Sequence, residues 1–172
     1  IQGNVTIYDN VKIGKNNIIH AGSVIGCDGY HFHRDKRNSI YKFPSLAGIR
    51  IGDDVEIGSN TVVDSGTLID TVIGDKVKID NFVHIGHSAI IGDSTFISAA
   101  SIIGGNTVIG KNAWIGLNST ISNNIKIGHN SKIRIGSVVV KDIQDFDDHS
   151  GNFSYSHKKR VFSYMRKEKT KG

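Results

Sequence analysis

The stretch Ile73–Ile97, IGDKVKIDNFVHIGHSAIIGDSTFI, places an isoleucine at every sixth residue: Ile73, Ile79, Ile85, Ile91 and Ile97. The period runs on through Ile103, Ile109, Ile115, Ile121, Ile127 and Ile133 to Val139. The residue after each is often glycine, as at Gly74, Gly86, Gly92 and Gly104. The fifth position of each hexad is small or β-branched: Val77, Val83, Ala89, Thr95, Ser101, Thr107, Ala113, Ser119. An amphipathic helix needs apolar residues at 3 to 4 spacing, and a half-buried strand needs strict alternation, so a period of six fits neither. It predicts a short flat strand followed by a turn. One aliphatic side chain points inward, a small residue fills the space beside it, and Gly, Asn and Asp take the turn conformations. Such units bury a core only when stacked, so the expected fold is an all-β solenoid.

Two earlier blocks carry the same period, Ile1 to Ile25 and Ile51 to Val63, giving twenty hexads in all. Two interruptions separate the blocks. From Asp28 to Arg50, DGYHFHRDKRNSIYKFPSLAGIR, the repeat lapses; this segment holds the only proline, Pro44, and is expected to be an inserted surface loop of the kind that carries function. The second interruption is a register slip at Ile69–Val72. After Ile143 the repeat ends, an acidic segment follows (Asp145, Asp147, Asp148), and VFSYMRK predicts a short amphipathic helix. The expected organisation is a solenoid over 1–143 with an insertion at about 28–50, then a basic, partly helical tail over 144–172.

A chain of 172 residues supports one sizeable core and hence one domain. Its apolar fraction of 38% and charged fraction of 22% fit a soluble globular protein. No apolar run approaches the roughly 20 residues of a membrane-spanning helix. The single cysteine, Cys27, and the lack of a basic-then-apolar leader lead to the expectation of a reducing, cytoplasmic location. The net charge of +5 is unevenly placed: from His157 to Gly172 there are seven Lys/Arg against one acid, leaving 14 basic and 15 acidic groups elsewhere. A basic terminus suits an acidic partner, whether a protein or the anionic lipid of a membrane surface. Nothing accompanies it that reads bases, so no nucleic acid is expected as a partner.

Chemistry concentrates in one hexad pair. His84 and His87 sit three apart with Asp80 and Asn81 upstream. His87 takes the third position of its hexad, and the equivalent positions one and two coils on are Gly105 and Asn123, small or polar residues that predict a groove beside it. His84 takes the sixth position of the previous hexad, near a turn.

The repeat resembles the left-handed parallel β-helix of hexapeptide-repeat acyltransferases, in which three hexads make one triangular coil. More specific residues narrow the resemblance. The Asp28-Gly29-aromatic turn, Lys42-x-Pro44, the run from Ile51 to Gly58 and the slip Asp70-Thr-Val-Ile-Gly-Asp75 are similar to the UDP-3-O-(3-hydroxyacyl)glucosamine N-acyltransferases of lipid A biosynthesis, over roughly Ile13 to Ile143. The resemblance implies a homotrimer with active sites between subunits. It also implies transfer of an acyl group from an acyl carrier protein or coenzyme A thioester, as co-substrate rather than bound cofactor, to the amine of a nucleotide-linked sugar. His87 falls on the family's catalytic histidine, with Asp80 and Asn81 as its upstream support. An imidazole titrating near neutrality can take the amine's proton. Asn124 stands where the family has a second histidine, which leaves a substrate contact to an amide; His84 and Gly105 complete the expected substrate contacts. The departures at His84, Gly86, Ser88 and Ser65, and the lack of a counterpart to the family's N-terminal uridine-binding domain, lead to the expectation of a stand-alone relative acting on another nucleotide-linked amino sugar.

Two readings of other classes compete: a non-catalytic β-helical scaffold, and a zinc-dependent lyase like the β-helical carbonic anhydrases. The latter resemblance would require histidines four apart plus one from a neighbouring coil, so no metal site is expected at His84 and His87. His31-x-His33 reads as part of a polar surface loop. Tyr30, Phe32 and Tyr41 are expected to pack that loop onto an adjacent subunit, and Trp114 to make a contact between coils or subunits. Cys27, with no neighbouring histidine-plus-acid motif, is expected to be a buried thiol.

Overall fold

The computed structural model describes residues 1–151 together with Ser154 and Ser156. Almost every hexad contributes a strand of two or three residues, and each strand pairs in parallel with the strand one coil away. Three faces result. The first has seven strands: Thr6–Ile7, Val24–Cys27, Val62–Asp64, His84–Ile85, Ile102–Ile103, Thr120–Ile121 and Val138–Val139. The second has six: Val11–Ile13, Ile49–Ile51, Thr71–Ile73, Ile90–Ile91, Val108–Ile109 and Lys126–Ile127. The third runs through Ile18–Ile19, Glu56–Ile57, Lys78–Ile79, Phe96–Ile97, Trp114–Ile115, Lys132–Ile133 and Asp148–His149. This is the expected parallel β-helix, all-β and consistent with the left-handed form. The ladder continues past Ile143, since Asp148–His149 pairs with Lys132–Ile133 and Arg134 Nε donates to Asp148 Oδ1 at 2.7 Å. The predicted tail helix lies outside the described residues. No helix among the described residues is long and apolar enough to cross a membrane.

The 18-residue register stacks each inward aliphatic on its like: Ile85 pairs with Ile103, and Ile103 with Ile121. These side chains are 0 to 1% exposed. Burying an isoleucine contributes on the order of 2 kcal/mol, so the column of isoleucines is the main source of cohesion between coils. Buried Ser and Thr at fifth positions are tolerated because each finds a corner carbonyl: Thr95 Oγ1 donates to Gly110 O at 2.9 Å and Ser101 Oγ to Gly116 O at 3.0 Å. The fourth position takes the left-handed conformation, as at Asn106, Asn112, Asn118 and Asn124 with φ between 54° and 60°. Asparagine is among the few residues that adopt it cheaply. Gly86 serves packing instead: a Cβ there would stand 2.7 Å from Gly105 N in the next coil.

Both interruptions leave the helix at one corner. Twenty-six residues instead of six separate Ile25 on the first face from Ile51 on the second, and ten separate Val63 from Ile73. The next coil turns the same corner through Gly86–Ala89 without insertion. The inserted segment is a β-hairpin, Phe32–Arg34 against Ile40–Lys42, whose turn is tied by Asp35 Oδ1 accepting from Arg37 N and Ser39 N. An ion pair between Asp28 and Lys42 closes its base and holds the Asp28 carboxyl below the usual carboxylate range. The two insertions also zip together: Leu46 N donates to Thr67 O at 2.9 Å and Thr71 N to Gly48 O at 3.1 Å.

Candidate active site

His87 sits at the corner that both insertions approach. Its Nδ1 lies 3.1 Å from Thr67 Oγ1, two residues before the slip. Gly29, at the start of the long insertion, passes so close that a Cβ there would meet His87 Cβ at 2.8 Å. A Cβ on Gly105, one coil on, would lie 2.6 Å from His87 Nε2. The ring therefore occupies a slot that two glycines leave open. His31 stacks on it, with centroids 5.4 Å apart and planes 9° from parallel, and Phe43 lies 5.0 Å beyond His31. Burial, then the neighbouring His31 imidazole, push the His87 pKa below the ordinary histidine value, while Asp64 acts against the shift. His87 is thereby favoured as a neutral imidazole, with Nδ1 engaged by a hydroxyl and Nε2 directed over Gly105.

The adjoining Ser88 explains how the slip segment is anchored. It adopts a left-handed φ of 58° at a position usually held by asparagine, and it is 2% exposed. Its Oγ accepts from Thr67 N at 3.0 Å and donates to Ile69 O at 3.2 Å, while its own N donates to Thr71 Oγ1 at 2.8 Å. The hydroxyl is short enough to bond within the corner, and it fixes the backbone that carries Thr67.

The other expected site residues are more dispersed. Asp80 and Asn81 do not reach His87 within the chain: they form the corner between the third and first faces, a whole face away. Seven residues is one hexad and a step, which carries the chain to the following corner. There Asp80 Oδ1 accepts from Asn81 N at 2.7 Å and Asn81 Oδ1 from Ser59 N at 2.7 Å. Both line a groove of about 630 Å³ on the third face, with Phe96 and Trp114 among its walls. Trp114 pairs across coils with Phe96 and remains 52% exposed. His84 faces Asp64, its Nε2 3.5 Å from Asp64 Oδ2. Gly105 N donates to Asn123 Oδ1 at 2.8 Å, which places the Asn123 amide over the next coil's slot. Asn124, beside it, holds a turn by donating its N to Gly105 O at 2.9 Å. Among the described residues, no three His, Cys, Asp or Glu side chains converge as a metal would require.

One expectation is extended and one changes. His31, on the exposed inserted segment as expected, also stacks on His87, and Cys27 does neighbour an acid and a histidine. Its Sγ lies 3.4 Å from Asp64 Oδ1, and the other oxygen of Asp64 faces His84. The arrangement still opposes a thiolate: burial and then Asp64 push the Cys27 thiol up to about 11. Burial likewise raises the Asp64 pKa, with His84 pulling against it. Tyr30 meets Phe32 edge-on at 5.0 Å within the hairpin. The sequence does not single out Thr67 and Asp64, and it reads His31 only as part of a loop, although a signal was available. Cys27, Ser65, His87, Gly105 and Asn123 each stand two residues after a first-face aliphatic, so counting coils through the interruptions puts both insertions under His87.

With this geometry, comparison with known proteins becomes informative. The bacterial transferase hexapeptide pattern of six repeats matches residues 70–105, which include Asp80, Asn81, His84, His87 and Gly105. A UDP-3-O-acylglucosamine N-acyltransferase of Coxiella burnetii is 40% identical over 81 residues, covering 47% of this chain and 24% of that protein. One from Chromohalobacter salexigens is 41% identical over 78 residues, covering 45% and 22%. The matches thus span about a quarter of these relatives' length. The fold is similar to a Francisella novicida UDP-N-acetylglucosamine acyltransferase, with a TM-score of 0.72 at 20% identity over 88% of this chain and 64% of the other.

Proposed function

We propose that this chain is an N-acyltransferase in which His87 acts as general base, moving an acyl group from a thioester to the amine of a nucleotide-linked sugar in lipid A or surface-polysaccharide synthesis. The observation that carries the reading is the His87 slot: an imidazole held below the ordinary histidine pKa by burial, with Nδ1 at Thr67 Oγ1 and Nε2 over Gly105, inside hexapeptide repeats of transferase type. The 40% identity to UDP-3-O-acylglucosamine N-acyltransferases supports the same chemistry.

In this mechanism the sugar amine attacks the thioester carbonyl while His87 Nε2 takes a proton from its nitrogen. The tetrahedral intermediate then collapses, the C–S bond breaks, and the proton passes to the departing sulfur. The products are an amide and a free thiol, with no bound cofactor consumed. A positioned base of this kind typically contributes 10²- to 10⁴-fold. The step uses the tautomer in which Nδ1–H donates to Thr67 Oγ1, so that the Nε2 lone pair is free for the amine.

The proposal includes a homotrimer. Phe82, Ile102 and Val138 are 64%, 46% and 60% exposed on the first face and its corner, an apolar strip suited to another copy. It places Asp80 and Asn81 across a boundary between copies, opposite the His87 of an adjacent chain, because a full face separates them within one chain. His84 and Asn124 are assigned to the sugar or its phosphates. Acyl carrier protein and coenzyme A are both retained as donors.

Mass spectrometry of products from a panel of UDP- and dTDP-linked amino sugars, each with acyl carrier protein and coenzyme A thioesters, tests this. Amide formation is expected with at least one pair, and its rate should fall about 100-fold or more in His87→Ala. Wild-type rates in that variant would remove His87 from the mechanism.

A further inference from the structure

The hairpin that interrupts the repeat does more than cover the corner. It delivers a second imidazole onto the first. His31 N donates to Gly29 O at 2.9 Å, and Phe43 N to His31 O at 2.9 Å, so both ends of the hairpin's first residues are tied in place. The Asp28–Lys42 ion pair locks its base. Gly29 then lets the strand run against the His87 side chain itself. Three rings pile up as a result: Phe43 and His31 at 5.0 Å, His31 and His87 at 5.4 Å and nearly parallel.

Resting on the reading of His87 as base, we propose that His31 is a positioning residue for it: the hairpin presses the His31 ring flat on His87 and fixes the plane in which Nε2 meets the substrate amine. Thr67 alone cannot do this. A single hydrogen bond at Nδ1 leaves the imidazole free to rock about the line from Nδ1 toward the hydroxyl, and a flat neighbour at stacking distance removes that motion. General-base transfer tolerates only small misplacement, of the order of 0.5 Å and 10–20°, so a ring that is bonded but not stacked loses turnover more than binding. The stack has an electrostatic side too. The titratable groups facing His87 are His31 from the hairpin and Asp64 from the first face, with His84 three residues earlier on its own coil and facing the same Asp64. Of these, His31 opposes a charge on His87 and Asp64 favours one.

The test uses the full chain with His31→Ala and His31→Phe. It reads kcat and KM across pH, together with ring-nitrogen NMR titrations in which the His87 signals are assigned by their loss in His87→Gln. For His31→Ala, kcat should fall about tenfold with KM within about twofold, as expected for lost orientation rather than lost binding. The His87 ring should also titrate at higher pH than in the wild type. For His31→Phe, which keeps a flat ring, kcat should return to within about threefold of wild type. Equal impairment in both variants would make His31 a chemical contact and overturn the positioning role. So would an unchanged His87 titration and kcat in a folded His31→Ala chain. If the wild type transfers no acyl group at all, the proposed function fails, while the titrations still decide whether residue 31 controls the state of His87.

Discussion

Thr67 and His87 meet across the register slip: the threonine hydroxyl stands 3.1 Å from the imidazole Nδ1. The hexad that runs into the slip thus supplies the partner of the candidate base. Thr67→Val keeps the side-chain shape and removes the hydroxyl, so Nδ1 loses its hydrogen-bond partner. Turnover should drop about tenfold, within the range spanned by a misdirected general base, and Thr67→Ser should restore most of it. Steady-state kinetics on the two variants check this; a Thr67→Val enzyme as fast as wild type would show that the hydroxyl is only packing.

The direction of the His87 shift has a consequence for pH. Its pKa lies below the ordinary histidine value, so the neutral, competent form persists to more acidic pH than a free imidazole would allow. The acid limb of kcat/KM is therefore expected below the usual histidine range. In the window between the folded and unfolded pKa values the unfolded chain binds the additional proton, so stability should decline as the pH is lowered through it. A pH–rate profile and thermal melts over the same range measure both. An acid limb above the ordinary value would contradict the buried, His31-stacked environment.

Gly105→Ala puts a methyl where His87 Nε2 needs room, at 2.6 Å. The ring, being a side chain, should give way rather than the backbone. Activity should fall 10- to 100-fold, roughly the loss that follows from misplacing a reacting group, while the melting temperature moves by only a few degrees. A large loss of stability with unimpaired residual turnover per folded molecule would show that the slot is a packing feature.

Cys27, raised to about 11, should be a poor nucleophile. At pH 8 roughly one thiol in a thousand is then ionised, against about a quarter for an unperturbed cysteine. Alkylation by iodoacetamide, followed by intact mass, should be correspondingly slow in the folded chain and rapid once it is denatured. Asp64→Asn, which removes the carboxylate facing the sulfur, should accelerate it. Rapid labelling of the native protein would place Cys27 in a different environment.

The period of six made the solenoid legible because it repeats one physical requirement, an inward aliphatic beside a small residue, through every coil from Ile73 to Val139. Ile85 over Ile103 over Ile121 is that requirement in three dimensions. His87 and Gly105 were legible for the same reason, since both are third-position residues one coil apart. The relation of Asp80 to His87 was less so, because proximity along a coiled chain does not survive the turn of a corner. His31 lies in a segment without period and Thr67 at the edge of the slip, where the template no longer assigns a direction to a side chain. Their place emerges only when the interruptions are threaded through the coil count.

The shared corner of the two insertions makes the molecule a ruled rod with one marked division. Whole coils of 18 residues on the Asn124 side can be added or deleted without altering what surrounds the marked corner, beyond the Gly105 coil. The length of the rod and the chemistry it carries are then separable properties. Moving the hairpin and the slip together by one coil would transplant the corner to Gly105, where a histidine in place of the glycine would find the same company.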